Sequence, residues 1–264
     1  MSGTAVAAVK AGDRITELLH TFTLTTAAQE LVSRMVQSGM GEVLPLIAEV
    51  LEMEKEARHQ RRVERLRRAA KLPPGKTFET FNRQRLSSQL CRKLDELATG
   101  AFLEEAVNVL AFGLPGVGKS HALCALGHRL VQAGYAVLFT PTYELVQELR
   151  VAKRDLELPR KLRKLDHFDL VIMDDIGYVQ QSAEEAEVLF TVLAERYERR
   201  STAISSNLVF TEWDRIFKNK MATTAAIDRL VHHSVILEFD VPSYRTEKAA
   251  ANTRRSRQTA PVPS

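Results

Sequence analysis

The sequence predicts an α/β protein, a parallel five-stranded sheet between helices, preceded by a small all-α region. Three observations point to it. Beyond Lys76, short apolar runs alternate with amphipathic stretches, the pattern of helices wrapped around a parallel sheet. The first such run leads directly into Gly113-Leu-Pro-Gly-Val-Gly-Lys119-Ser120, a glycine-rich turn between a predicted strand and a predicted helix. Ahead of Pro73-Pro74 the chain shows helical periodicity alone.

Composition sets the bounds. With 264 residues, 45% hydrophobic and 27% charged, the chain can bury a sizeable core. Cys91 and Cys124 stand far apart, which suggests neither a disulfide framework nor a zinc site and fits a reducing cytoplasm. No apolar run approaches the roughly 18 residues of a membrane span, so no membrane partner is expected.

Taken in order, residues 1–25 read as a flexible N-terminus, alanine-rich and interrupted by Lys10. Residues 26–72 read as a helical region. Ala28, Leu31, Val32, Met35 and Val36 recur at helical spacing, as do Val43, Leu44, Ile47 and Leu51 after Gly39 and Gly41, so two helices join at a glycine break. Leu72-Pro73-Pro74-Gly75 ends that region, because proline cannot continue a helix. Residues 73–248 form the α/β domain. Its candidate strands are Val107–Phe112, Ala136–Thr140, Leu170–Met173, Thr202–Ser206 and Val235–Phe239, each apolar enough to be buried on both faces. Ser182–Arg200 is the clearest helix, with a capping box from Ser182 and Glu185 and a face of Ala186, Leu189, Phe190, Leu193 and Tyr197. Residues 249–264 are a polar, basic, proline-bearing tail.

The glycine turn matches G-x-x-x-x-G-K-[ST] at every fixed position. Glycines let the backbone curl so that its N–H groups point at phosphate oxygens, and the following helix adds its positive end. The expected nucleotide contacts are Gly113, Pro115, Gly116, Val117, Gly118, Lys119, Ser120 and His121. Lys119 would neutralise the β and γ phosphates of ATP, with Ser120 as a ligand of Mg²⁺. Leu170-Val-Ile-Met-Asp174-Asp175 has the form of a buried strand ending in carboxylates. Asp174 is the second Mg²⁺ candidate, and Asp175 the group that orients the attacking water. Asn207, ending the next strand, is a weaker candidate for the γ phosphate or its water, since Asn is also a routine turn former. Trp213, His232-His233, Cys124 and His128 read as packing or surface residues.

Charge is uneven. Arg58, Arg61, Arg62, Arg65, Arg67, Arg68 and Lys71 stand against Glu64 alone, a local +6 in a chain of net +4. Arg58, Arg61, Arg62, Arg65 and Arg68 share one helical stripe. A ladder of guanidinium groups suits sequence-independent contact with DNA phosphates, while the plainer reading is a solvated face.

In combination, the loop Gly113–Ser120, Asp174-Asp175-Ile-Gly-Tyr178, Glu195-Arg-Tyr-Glu-Arg-Arg200, Ser205-Ser-Asn-Leu208, Asp228-Arg-Leu-Val-His-His233 and Ser243-Tyr-Arg245 resemble the IstB family. These are helper ATPases of insertion-sequence transposition, similar in turn to DnaC helicase loaders and DnaA initiators. The resemblance covers about residues 27–248. It implies an AAA+ core without a full C-terminal lid, and a homo-oligomer with ATP at its subunit interfaces. Such an oligomer would assemble on duplex target DNA, mark or remodel it and recruit the cognate transposase, with hydrolysis resetting the complex. By position, Arg229 looks like an arginine finger and Arg245 like a sensor arginine. Many AAA+ relatives have Glu where Asp175 stands, and the shorter side chain implies slow turnover. Relatives of the initiator type face DNA with a helix between the second and third strands, which makes Lys153, Arg154, Lys161 and Lys164 further DNA candidates. A DnaC-like helicase loader is the alternative within the same chemistry. A small-molecule P-loop kinase, or a DNA-packaging protein indifferent to nucleotide, would be of another class.

Overall fold

Five short strands, Asn108–Gly113 (β1), Val137–Pro141 (β2), Leu170–Asp174 (β3), Ser201–Ser206 (β4) and Ser234–Phe239 (β5), form one sheet of order β2-β3-β4-β1-β5. Every pairing is parallel. The computed structural model describes residues 3–177, 182–213, 216 and 220–244. β1, β2, β3 and β4 are almost wholly buried, as strands covered on both faces must be. All five match their expected bounds to within a residue at either end, but β5, on the edge of the sheet, is not buried on both faces as expected: only its Leu237 and Phe239 are buried.

Helices connect the strands: Lys119–Gln132 (α5), Thr142–Arg154 (α6), Leu158–Asp166 (α7), Ala183–Arg196 (α8) and Lys220–His232 (α9), with Ser88–Leu97 (α4) ahead of β1. The glycine turn leads into α5, which buries Ala122–Leu126 completely and passes so near β3 that a Cβ on Gly127 would lie 3.0 Å from Ile172. In α8 the expected capping box is present, and Ala186, Val188, Leu189, Val192 and Leu193 enter the core. That helix ends at Arg196, short of the expected Arg200, because Tyr197 turns extended (ψ 128°) and Glu198 adopts a left-handed φ of 54°. Arg196 is itself interior, 2% exposed. Its guanidinium donates to the carbonyls of Leu165, Phe168 and Ser201, and burial lowers its pKa to about 10. These bonds tie α7, α8 and β4 together.

The chain divides into two compact units at Glu64/Arg65, inside the helix Leu44–Ala70 (α3) and short of the expected boundary after Leu72. Beyond α3, Leu72 packs on α5, 2.9 Å from where a Gly127 Cβ would stand. The first unit holds Gly3–Thr21 (α1), Thr25–Gln37 (α2) and most of α3. The flexible N-terminus expected for residues 1–25 is corrected, for the described residues, to a helix over Gly3–Thr21 with the next helix starting at Thr25. Its alanines favour helix, and Ile15, Leu18, Leu19 and Phe22 at helical spacing are all buried. Ile15 and Leu19 pack with Ala28 and Leu44 in a small core that Leu31, Val32, Met35, Ile47 and Leu51 flank, as their periodicity requires. Val36 and Val43 are instead exposed. No helix of the described residues is long and apolar enough to cross a membrane.

Candidate nucleotide site

Parallel register brings the chemistry to one edge. Phe112 pairs with Ser206, Gly113 with Phe239, and Met173 with Ile204, so the C-terminal ends of β1, β3 and β4 lie side by side, where ligands of open parallel sheets bind. Gly113 has φ 148°, Gly116 φ 83° and Gly118 φ 106°. A side chain at Gly113 would meet the Phe239 carbonyl at 2.6 Å, so glycine there answers both conformation and space.

Lys119 is 6% exposed. Its ammonium donates to the Gly113 carbonyl (2.6 Å), the Leu114 carbonyl (2.9 Å) and Asn207 Oδ1 (2.7 Å). Asn207 in turn donates from Nδ2 to Asp175 Oδ1 at 2.9 Å. This amide therefore couples the candidate phosphate-binding lysine to the water-orienting candidate. Asp174 accepts from Ser205 Oγ at 2.6 Å, and its carbonyl from Thr142 Oγ1 at 2.9 Å. The same Ser205 Oγ accepts the Asp175 N–H at 2.8 Å. One serine thus holds both carboxylate residues, with Asp175 in a left-handed conformation, φ 61°.

The site opens into a cavity of about 340 Å³ whose lining includes Pro115–His121, Asp175, Ser205 and Asn207. The remaining wall includes residues that the sequence reading missed: Lys76, Phe81, Arg85, Leu86, Val241 and Tyr244. Phe81 packs on the turn, 3.0 Å from where a Gly118 Cβ would be, and its ring lies 4.9 Å from that of His121. His121 Nε2 is held at 3.0 Å from the Thr77 carbonyl and 3.1 Å from Thr80 Oγ1, and burial lowers its pKa. Arg85 bonds the Pro242 carbonyl, and the Tyr244 N–H bonds the Gly116 carbonyl. The aromatic pair Phe78 and Phe81 in a stretch without periodicity, just after the prolines, was the available sequence sign.

The residues present fit a magnesium nucleotide. Lys119 brings an ammonium to the cavity beside the glycine turn, where phosphate oxygens can meet it, and Ser120 with Asp174 supplies the hard oxygen donors that Mg²⁺ prefers.

Arg229, on α9, is half-buried. Its guanidinium lies over the Phe190 ring (5.0 Å), and its Nη1 has no hydrogen-bond partner among the described residues. Arg245, Tyr178 and the tail 249–264 lie outside the described residues.

Of the basic candidates, Arg58, Arg61, Arg62, Arg65 and Arg68 are all exposed along α3. Glu54 pairs with both Arg58 (2.7 Å) and Arg61 (3.1 Å), so part of the expected excess is neutralised. In the second segment Lys153 pairs with Glu187 (2.6 Å), Arg154 with Asp155 (2.9 Å) and Lys161 with Glu148. Lys164 is exposed. Trp213 is fully buried and donates to the Leu208 carbonyl. His128 meets the Pro73 carbonyl at 3.0 Å. Burial pushes the Cys124 thiol up to about 12, so it is no nucleophile.

Solved structures share this architecture. A DnaC helicase loader superposes with TM-score 0.55 at 17% identity, over 65% of this chain and 100% of that one. AMPPCP-bound DnaA from Aquifex aeolicus does so with TM-score 0.53 at 16% identity, over 74% of this chain and 58% of that one. Both likenesses concern the fold alone. An insertion-sequence ATP-binding protein of Sinorhizobium fredii is 44% identical over 80% of this chain and 71% of its own length. The IS21 ATP-binding protein of Pseudomonas aeruginosa is 38% identical over 80% of each. With the model of the IstB-like ATP binding protein family matching residues 16–252 around this phosphate loop and its paired carboxylates, the chain belongs to that family.

Proposed function

We propose that this chain is the ATPase helper of an insertion sequence. It assembles on duplex target DNA when ATP is bound, marks or deforms the site, and engages the transposase there. The Lys119–Asn207–Asp175 chain of hydrogen bonds is the observation that carries the hydrolytic part. The main-chain N–H groups of the glycine turn and Lys119 would hold the phosphates, and Ser120 and Asp174 would hold Mg²⁺, which neutralises charge as it develops on the phosphoryl group. Asp175, aligned by the Asn207 amide, orients the attacking water. Asp in place of Glu shortens its reach and suits a slow timer more than a motor.

Assembly with ATP at subunit interfaces is supported by Arg229. β5 begins beside the start of β1, as Ser234 pairs with Asn108. The turn after α9 therefore lies at the opposite edge of the sheet from Gly113, roughly 16 Å away at 3.3 Å per strand residue. Arg229, one turn before that edge, is poorly placed to serve its own nucleotide. Its Nη1 is enclosed and has no hydrogen-bond partner among the described residues, so the guanidinium would have to swing off the Phe190 ring to reach a neighbour's phosphate. The names of the relatives, insertion-sequence ATP-binding proteins, favour target DNA and a transposase over the loader's single strand and helicase.

The test measures binding to duplex and single-stranded DNA with ATP, with ADP and without nucleotide. Preference for duplex with ATP supports the proposal, whereas preference for single strand moves the protein to the loader reading. Mixing Arg229→Ala with Lys119→Ala protein on DNA then tests the shared site. Recovered hydrolysis is expected, and co-assembly without recovery would mean that Arg229 acts within its own chain or does not act on ATP.

A further inference from the structure

Two histidines and a glutamate meet at the edge of the sheet away from the nucleotide. Glu198 stands in the turn between α8 and β4, His232 ends α9, and His233 leads into β5. β4 and β5 both flank β1, and Asn108 at the start of β1 clamps the two turns. Its side chain accepts from the Thr202 N–H (2.9 Å) and donates to the Leu230 carbonyl (3.4 Å), while its own N–H donates to the His233 carbonyl (2.7 Å). The backbone is therefore held at His233 and Leu230 and at the start of β4, four residues beyond Glu198.

One donor atom from each of Glu198, His232 and His233 lies within 4.8 Å of the others. His233 Nε2 and Glu198 Oε1 are 3.7 Å apart. That is long for a hydrogen bond but near the roughly 3.4 Å that separates two ligands each 2.0–2.1 Å from a tetrahedral ion. Tyr197 Oη sits 3.2 Å from His232 Nδ1. A hydroxyl on that nitrogen orients the ring, the outer partner that metal-binding histidines regularly have. The carbonyl end of α9 adds partial negative charge at the same place.

We propose that Glu198, His232 and His233 form a binding site for a divalent transition metal, zinc in the first instance, with water in the remaining position. Imidazole and carboxylate together select zinc, cobalt, nickel or copper over magnesium. The ion staples the α8–β4 turn to the end of α9 and stabilises the folded chain by mass action.

Cobalt(II) is titrated into the full-length, nucleotide-free protein in excess Mg²⁺ and followed by visible absorption. One ion per chain is expected, displaced by Zn²⁺. His233→Ala and Glu198→Gln should lose it, and Tyr197→Phe, which keeps all three ligands, should bind about tenfold more weakly. Zn²⁺ should raise the melting temperature of the parent and not of His233→Ala. The side chains of His233 and Glu198 are 48% and 56% exposed, so the metal-free variants should melt with the metal-free parent, and His233→Gln serves as a second variant. Absence of a cobalt spectrum in the parent overturns the site. So does unchanged affinity in the ligand variants, or loss of the ion on Ser120→Ala, which would place it in the nucleotide site.

Discussion

Replacing Asn207 by alanine tests the hydrogen-bond chain at the centre of the nucleotide site. The substitution removes one bond from a charged donor, Lys119 Nζ at 2.7 Å, and one to a carboxylate, Asp175 Oδ1 at 2.9 Å. Bonds to charged groups contribute about 1.5–3 kcal/mol when buried. Asn207 is only half-buried, so water can replace the amide, and folding should lose about 1 kcal/mol, or ~2–4 °C in melting temperature. Lys119 keeps the Gly113 and Leu114 carbonyls, so it should stay in the anion site, and the Kd for ATP should change by less than about tenfold, 1.4 kcal/mol. Hydrolysis should suffer more. Asp175 loses the amide that aligns it, and removing one preorganised donor typically lowers kcat by about 10²–10³. Asn207→Asp, which sets a second carboxylate against Asp175, should impair kcat at least as much while still pairing Lys119. Phosphate release under saturating ATP gives kcat, and a fluorescent ATP analogue gives Kd. The coupling role is refuted by a kcat close to the parent's, or by a Kd that rises as far as kcat falls, which would make Asn207 a support for Lys119 alone.

Asp175→Asn should retain ATP, slow its hydrolysis and prolong the DNA complex, because an amide cannot orient water as a carboxylate does. Asn tolerates the left-handed backbone at this position, φ 61°, so an unchanged melting temperature is the control, and normal turnover would move the water-orienting role elsewhere. Neutralising Arg61, Arg62 and Arg65 together should lower the slope of log affinity against log salt by about two to three units without touching ATP binding. The lower figure reflects the Glu54 partner that Arg61 already has, and an unchanged slope would return α3 to a solvated face. Gly113→Ala should destabilise the domain by about 3 kcal/mol, ~6–12 °C, since the new methyl would stand 2.6 Å from the Phe239 carbonyl at a φ of 148°. Calorimetry showing parental stability would mean that β5 yields there.

By itself the sequence determined the features whose physics is local. Phosphate binding by main-chain N–H groups needs glycines and a lysine at fixed spacing in one turn, so Gly113–Ser120 was legible from eight letters. Strands read as short apolar runs, which placed all five, although only β1–β4 are buried on both faces, and the Ser182–Glu185 box marked the start of α8 because a cap is made within four residues. The tertiary structure decided what depends on register and on distant segments. That Asn207 bridges Lys119 and Asp175 follows from β4 lying between β1 and β3, and a turn-forming Asn does not announce such partners. Lys76, Phe81 and Leu86 line the cavity from an irregular stretch that has no period to read. Arg196 would be assigned to solvent by its charge, and only the converging carbonyls of Leu165, Phe168 and Ser201 make its burial tolerable. The basic runs reversed the case. Their charge was plain in the sequence, yet how much of it remains for DNA depends on acids such as Glu187 and Glu148, brought alongside from other turns and other helices.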